Sequence, residues 1–191
     1  RRKESYPKIE LTKQPYWIEG DLEGNYANIF KKCDLLIHLA AYGLTGRQEE
    51  NWEEALNCNL VSTLKLFDTA YSKGIKRFFV AGSSIEYGKY SQKYKNIPDD
   101  APLQPFDIYS STKAAASILL QGWAVKKKVK LHLMRLFQVY GDGEPEYRLF
   151  PSLKKAALNG LDFEMTPGQQ IRDFIDVKDV VRILLDNIYK D

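Results

Sequence analysis

A doubly wound, parallel α/β sheet is the fold class this sequence predicts. Short apolar runs at 35–40 and 78–81 read as near-continuous hydrophobic segments, as strands covered on both faces of a parallel sheet do. Longer stretches of helical periodicity separate them, giving the strand, helix, strand, helix rhythm of right-handed crossover units. A polar stretch at 90–107, punctuated by Pro98, Pro102 and Pro105, falls where a loop over the carboxyl edge belongs, and that edge is where such sheets place their ligands.

In chain order, the first strand candidate is 16–18 and the second is 35–40. Between about 49 and 72, Trp52, Leu56, Leu60, Leu64, Phe67 and Tyr71 recur every three or four residues, which predicts one apolar stripe on a helix. Gly74 follows, where a C-cap glycine belongs. The run 78–81 is the third strand. A second helix is expected over about 110–126, where Ala114, Ala115 and Ala116 let a neighbouring backbone approach closely. The run 129–136 is a fourth strand, 153–158 a short helix, and Asp176 a cap for a last helix through Asn187.

The composition supports a packed domain: 191 residues, 44% of them hydrophobic and 28% charged, exclude a disordered chain. A net charge of +3 is too small to point to a nucleic-acid partner. Cys33 and Cys58 make neither a disulfide scaffold nor a zinc site, and with His38 and His132 the only histidines, no metal is expected. Both histidines lie in apolar strand patterns and read as core residues. No apolar run approaches the roughly 20 residues a membrane helix needs, so a soluble, cytoplasmic protein with no membrane partner is the expectation.

Two short segments could carry chemistry. In Tyr109-Ser110-Ser111-Thr112-Lys113, phenol and ammonium are four residues apart and share one helix face. A lysine cation beside a tyrosine hydroxyl favours the phenolate and makes it usable as an acid or base near neutral pH. Gly82-Ser83-Ser84 directly follows the buried 78–81 run, so its hydroxyls stand at a strand's carboxyl end. With Tyr109 placed 26 residues after Ser83, hydroxyl, phenol and ammonium can converge.

These segments resemble the extended short-chain dehydrogenase/reductases, the nucleotide-sugar epimerases, dehydratases and reductases. Further pieces in the same order are Gly20-Asp21-Leu22, His38-Leu39-Ala40-Ala41, Asn57-Cys58-Asn59-Leu60-Val61-Ser62-Thr63, Ser83-Ser84-Ile85-Glu86-Tyr87-Gly88, Arg135-Leu136-Phe137-Gln138-Val139-Tyr140-Gly141, Gln170-Ile171-Arg172-Asp173-Phe174 and Asp176-Val177-Lys178-Asp179-Val180. The Glu-Tyr-Gly and Arg-Leu-Phe-Gln-Val-Tyr-Gly pieces look most like the CDP-abequose-synthase-like reductases. The resemblance implies a Rossmann-like, dinucleotide-binding domain at 1–135, and substrate-binding elements interleaved with the last Rossmann elements at 136–191.

By the same resemblance, Tyr109 is the general acid/base, Lys113 lowers its pKa and holds the nicotinamide ribose, and Ser83 hydrogen-bonds the same sugar oxygen. Asp21 and Leu22 border the adenine of NAD or NADP; Leu39, Ala40 and Ala41 lie along its ribose and pyrophosphate; Asn59 supports the cofactor site. Toward a nucleotide-sugar substrate the resemblance assigns Ser84, Gln138, Arg148, Leu149 and Arg172. Arg172 neutralises the diphosphate, a task suited to a guanidinium fork. Gln138 stands where many relatives carry asparagine. A homodimer built through the helices at about 49–72 and 110–126 is also implied.

Two departures narrow the expectation. Where 4,6-dehydratases carry acidic residues after the catalytic threonine, this chain has Ser84 and Ile85, and isoleucine transfers no proton. Glu86 lies one position further on and, on a strand-like segment, faces the other way. The glycine-rich phosphate-binding fingerprint of the first βα turn is absent from the sequence. A piece of a longer enzyme, lacking roughly the first 40 residues of the usual domain and its carboxyl end, is therefore expected. Arg1 and Arg2 then fall where a basic residue meets an adenosine 2′-phosphate. The leading expectation is an oxidoreductase that reduces a 4-keto-6-deoxyhexose at C4; a 4-epimerase with retained NAD and a non-catalytic dinucleotide-sensing module are the alternatives.

Overall fold

The structure, a computed structural model, describes residues 5–7, 9–43 and 51–190. Arg1 and Arg2 lie outside the described residues. The chain divides into two compact units. One is Trp17–Leu136; the other joins Phe137–Asp191 with the described part of Glu4–Tyr16.

The first unit is a three-stranded parallel sheet in the order β1 (Leu35–His38), β2 (Arg77–Ser83), β3 (Lys130–Leu136), the Rossmann-like arrangement expected. Registers run from Leu35 opposite Arg77 to His38 opposite Val80, and from Arg77 opposite Lys130 to Ser83 opposite Leu136. Central β2 buries Phe78, Phe79 and Val80, as its unbroken apolar run demands. β1 is not covered on both faces: it lies at the edge of this sheet and leaves Ile37 38% exposed. It also ends at His38, before the apolar run does, and Leu39 is 59% exposed. The run 16–18 joins neither sheet, and Tyr16 is 89% exposed; three apolar residues without a strand partner have no ladder to enter.

After a short α1 (Ala27–Phe30), the first long helical segment has three parts: α2 (Trp52–Leu56), a π-helical turn (Asn57–Ser62) and α3 (Thr63–Ser72). A π turn closes its hydrogen bonds one residue later than an α turn, so it rotates the helix before it relative to the helix after it. The expected stripe is broken accordingly. Leu66, Phe67 and Ala70 are buried with Ala55 and Asn59, whereas Trp52 and Leu56 face outward. The helix ends as Gly74 predicts: Gly74 has φ +103°, and Ile75, itself buried, returns its N–H to the carbonyl of Ala70.

α4 (Ile108–Lys127) starts from Asp107, whose carboxylate accepts the Ser110 N–H while the Ser110 hydroxyl accepts the Asp107 N–H, a reciprocal cap. Lys126 and Lys127 occupy its last turn, complementing the helix dipole. Ala114 and Ala116 are buried. Phe67 stacks on Phe78 and meets the edge of Trp123, joining α3, β2 and α4 in one core. Part of the expected loop is helical: Ser84–Lys93 forms 3-10 turns that break at Gly88. Gly88 has φ +53° and lies so near the Gln104 carbonyl that a Cβ would sit 1.8 Å from its oxygen.

In the second unit, β4 (Gln138–Tyr140) pairs in parallel with β5 (Phe174–Asp176). Helix α5 (Leu149–Leu158) starts four residues earlier than expected, and α6 (Val177–Tyr189) is capped by Asp176 through the Lys178 N–H. Rings of Tyr140, Phe150 and Phe174 form its apolar contact, with centroids 4.8 and 5.2 Å apart.

Candidate active site

The carboxyl end of β2 gathers the first group of expected residues. β1 stops opposite Val80, so beyond that residue the main chain of β2 has no β1 partner. Side chains take over. The Lys113 ammonium, buried on α4, donates to the Ala81 carbonyl at 2.6 Å, and the Ser83 N–H donates to Glu86 Oε1 at 2.7 Å. Ser83 is thus the last residue of the strand and the cap of the turns that follow, its hydroxyl accepting weakly from the Ile85 N–H at 3.5 Å. Burial pulls the Lys113 pKa below the ordinary lysine value, and its electrostatic interactions with Glu86 and Cys58 act against that fall.

Tyr109, one turn before Lys113 in the first turn of α4, is half-buried. Its ring packs on Gly43 of the segment after β1, with Cδ2 3.3 Å from where a Cβ would stand. Asn59, in the π-helical turn, fixes that segment. Its amide oxygen accepts the Tyr42 N–H at 2.7 Å, and its nitrogen donates to the Tyr42 carbonyl at 3.2 Å and to Thr112 Oγ1 at 2.9 Å. Because Thr112 belongs to the Tyr109–Lys113 motif, one buried amide ties the end of β1 to the helix that carries phenol and ammonium. Leu39 and Ala40 are exposed at the end of β1, and Ala41 is half-buried beside them. Asp21 is exposed and its carboxylate accepts the Glu23 N–H, while Leu22 packs on the core cluster. Ser84, half-buried, begins the 3-10 turns.

The remaining candidates belong to the second unit. Gln138 opens β4, and its N–H donates to the carbonyl of Asp173, the neighbour of exposed Arg172. Arg148 is the exposed residue before α5, and Leu149 begins that helix.

Sequence reasoning assigned no role to three residues around Ser83. Glu86 is fully buried, and its carboxylate accepts from the Ser83 N–H, from the Ser117 hydroxyl at 2.8 Å and from Arg135 Nε at 3.0 Å. The segment is not strand-like as the sequence suggested: β2 ends at Ser83, and Glu86 lies in the 3-10 turns that follow. The signal that could have found it is a glutamate three residues after a serine, the capping-box spacing. His38 is a core histidine, as expected: its Nε2 lies 3.0 Å from Thr63 Oγ1.

Among the described residues no helix is long and apolar enough to cross a membrane. Over residues 1–188 the chain matches the family described as the NAD dependent epimerase/dehydratase family. It is 26% identical over 187 residues to a UDP-glucose 4-epimerase of Lactobacillus helveticus, covering 86% of this chain and 56% of that protein. Among solved structures it is similar to a UDP-N-acetylglucosamine 4-epimerase from Methanobrevibacter ruminantium M1 in complex with UDP-N-acetylmuramic acid. That likeness has a TM-score of 0.77 at 26% identity over 86% of this chain and 55% of the other. MoeE5 in complex with UDP-glucuronic acid and NAD gives a TM-score of 0.75 at 31% identity, over 91% of this chain and 58% of the other. The chain spans about half the length of the curated relatives it matches.

Proposed function

Because the chain belongs to the NAD-dependent epimerase/dehydratase family, we propose that the protein interconverts hydroxyl and ketone at C4 of a nucleotide-activated hexose. The observation that carries this reading is the side-chain arrangement at the end of β2. Lys113 is buried against the Ala81 carbonyl, two residues before Ser83 at the strand end, and Tyr109 stands one turn before Lys113 on α4. The open backbone at Leu39 and Ala40 and the ammonium at the same sheet edge suit a nicotinamide dinucleotide, NAD or NADP, as relatives that bind NAD suggest. Such a cofactor would supply the hydride acceptor and donor. Asp21, Leu22, Leu39, Ala40, Ala41 and Lys113 would hold it, with Asn59 supporting them from behind.

The chain's own residues then handle the proton. Tyr109 removes the proton of the sugar hydroxyl as its carbon is oxidised and returns it when the ketone is reduced. The Ser83 hydroxyl donates to the same oxygen and stabilises its developing negative charge. Lys113, when protonated, sets a positive charge one helical turn from the phenol. Arg172, Arg148, Leu149, Gln138 and Ser84 are the proposed contacts for the nucleotide sugar. Ser84 and Ile85, which stand where dehydratases carry acids, argue against dehydration.

Four-epimerisation is the favoured outcome, because two of the three relatives above are named 4-epimerases. Reduction of a 4-keto-6-deoxyhexose is the second reading. It is favoured by the Glu86–Arg135 pair, which joins in space the two sequence pieces that resemble the reductase branch. Incubating the full-length protein with UDP-glucose and NAD, and following UDP-galactose by chromatography, tests the first. Oxidation of NADPH with a UDP-4-keto-6-deoxyglucose tests the second. Tyr109→Phe is expected to lower either turnover by about 10²–10⁴-fold. Full turnover in that variant overturns the role given to Tyr109, whereas no turnover by the wild type in either assay overturns the enzymatic reading and leaves a dinucleotide-sensing module. A homodimer through α2, α3 and α4 completes the proposal.

A further inference from the structure

We propose that Glu86 is a positioning residue for Ser83, holding the hydroxyl-bearing strand end in register for reaction. The inference rests on the proposed role of Ser83 and goes beyond it. Glu86 is fully buried and accepts three donors from three elements: the Ser83 N–H at the end of β2, the Ser117 hydroxyl of α4 and the Arg135 guanidinium of β3. The two oxygens divide the work. Oε1 takes the Ser83 N–H, whereas Oε2 takes Ser117 and Arg135, which anchor the carboxylate to the sheet and to the helix that bears Tyr109 and Lys113.

The backbone makes room for this. A Cβ on Gly82 would stand 2.8 Å from Glu86 Oε1 and 3.2 Å from both Arg135 Cγ and Leu133 Cδ1, so the residue before Ser83 has to lack one. Arg135 is held in turn, its Nη1 donating to the Tyr87 hydroxyl at 3.2 Å and to the Asp99 carbonyl at 3.1 Å. A buried carboxylate held by three donors has one orientation, and the main chain at Ser83 inherits it. Since β1 gives no strand partner beyond Val80, Glu86 is what fixes the Ser83 N–H.

The test is a double-mutant cycle in the full-length protein, using whichever of the two turnover assays the wild type supports. Glu86→Gln keeps the volume but sets an amide nitrogen against Arg135 or against the Ser83 N–H. We expect kcat to fall about tenfold to a hundredfold with KM for UDP-glucose or the keto sugar unchanged, as a misplaced reacting group does. In a Ser83→Ala background, where no hydroxyl remains to be positioned, the same change should alter kcat by less than about twofold. Should Glu86→Gln fail to fold, Ser117→Ala decides by the same cycle. It loosens Oε2 while keeping the carboxylate, and a fall in kcat of about threefold or more that vanishes with Ser83→Ala is expected. A kcat within twofold of wild type, or an equal loss in both backgrounds, overturns the positioning role. Unchanged turnover in Ser83→Ala itself, or no turnover by the wild type, instead overturns the reading on which it rests.

Discussion

The imidazole of His38 shows how burial at one residue sets a property of the whole fold. It closes β1 with its ring edge-on to Phe67 at 5.8 Å, and Thr63 Oγ1, 3.0 Å from Nε2, already donates to the Cys58 carbonyl. That arrangement calls for a neutral ring with its proton on Nε2. Burial, and secondarily the charge of Lys113, lowers the His38 pKa to about 4. The unfolded chain takes up this proton near pH 6.5, whereas the folded chain resists it until about pH 4. The stability it contributes is therefore complete above pH 6.5 and is lost as the pH falls toward 4, to the extent of about 3 kcal/mol. Urea unfolding at pH 7.5 and pH 4.5 should show a smaller acid loss in His38→Gln than in wild type. Equal losses in the two proteins would falsify this account.

At the scale of elements, two glycines with positive φ call for different outcomes. Gly74 has open space around the position a Cβ would take, so Gly74→Ala meets only backbone strain and should cost about 1 kcal/mol. A Cβ on Gly88 would stand 1.8 Å from the Gln104 carbonyl oxygen, and Gly88→Ala should cost at least about 3 kcal/mol or prevent folding, because a backbone atom has to move. Thermal unfolding of the pair checks the contrast, and similar midpoints would contradict it. Gly74 was legible in the sequence because its requirement is local: it follows the last apolar residue of a helix. So were β2, β3 and α4, whose patterns are local too, and the shared face of Tyr109 and Lys113, which follows from a spacing of four. The π-helical turn was not legible. It accompanies hydrogen bonds from Asn59 to Tyr42 and Thr112, 17 and 53 residues away, and no window of helical periodicity holds such a distance. Glu86 was half legible: its capping-box spacing from Ser83 is local, but it lies in 3-10 turns rather than on a strand, and its partner Arg135 lies 49 residues on. The apolar run 35–40 overstated its strand, which ends at His38, since hydrophobicity alone does not set where a ladder stops.

At the scale of the whole molecule, what remains to be explained is apolar surface on the first unit. Ile118 and Val125, 62% and 80% exposed, stand seven residues apart on α4, so they share a face. Ala115 and Gly122 lie on the same side at intervals of three and four, a run of small residues that lets another helix approach closely. α4 buries its opposite face through Ala114, Ser117, Leu120 and Ala124, so the exposed stripe is not part of this unit's core. Trp52 and Leu56, four apart on α2 and turned outward before the π-helical turn, add apolar surface that this unit's own core leaves uncovered. The proposed homodimer covers both with the matching helices of a second copy, as a two-fold interface requires. Replacing Ile118 and Val125 together by glutamate places charge in that seam without touching the core. The melting of the isolated protomer should change by no more than about 0.5 kcal/mol per site, while sedimentation equilibrium shows the dimer dissociating at micromolar concentration. A dimer that survives both glutamates rules this face out as the interface, and a wild-type protein that sediments as a monomer at the same concentrations rules out the dimer itself.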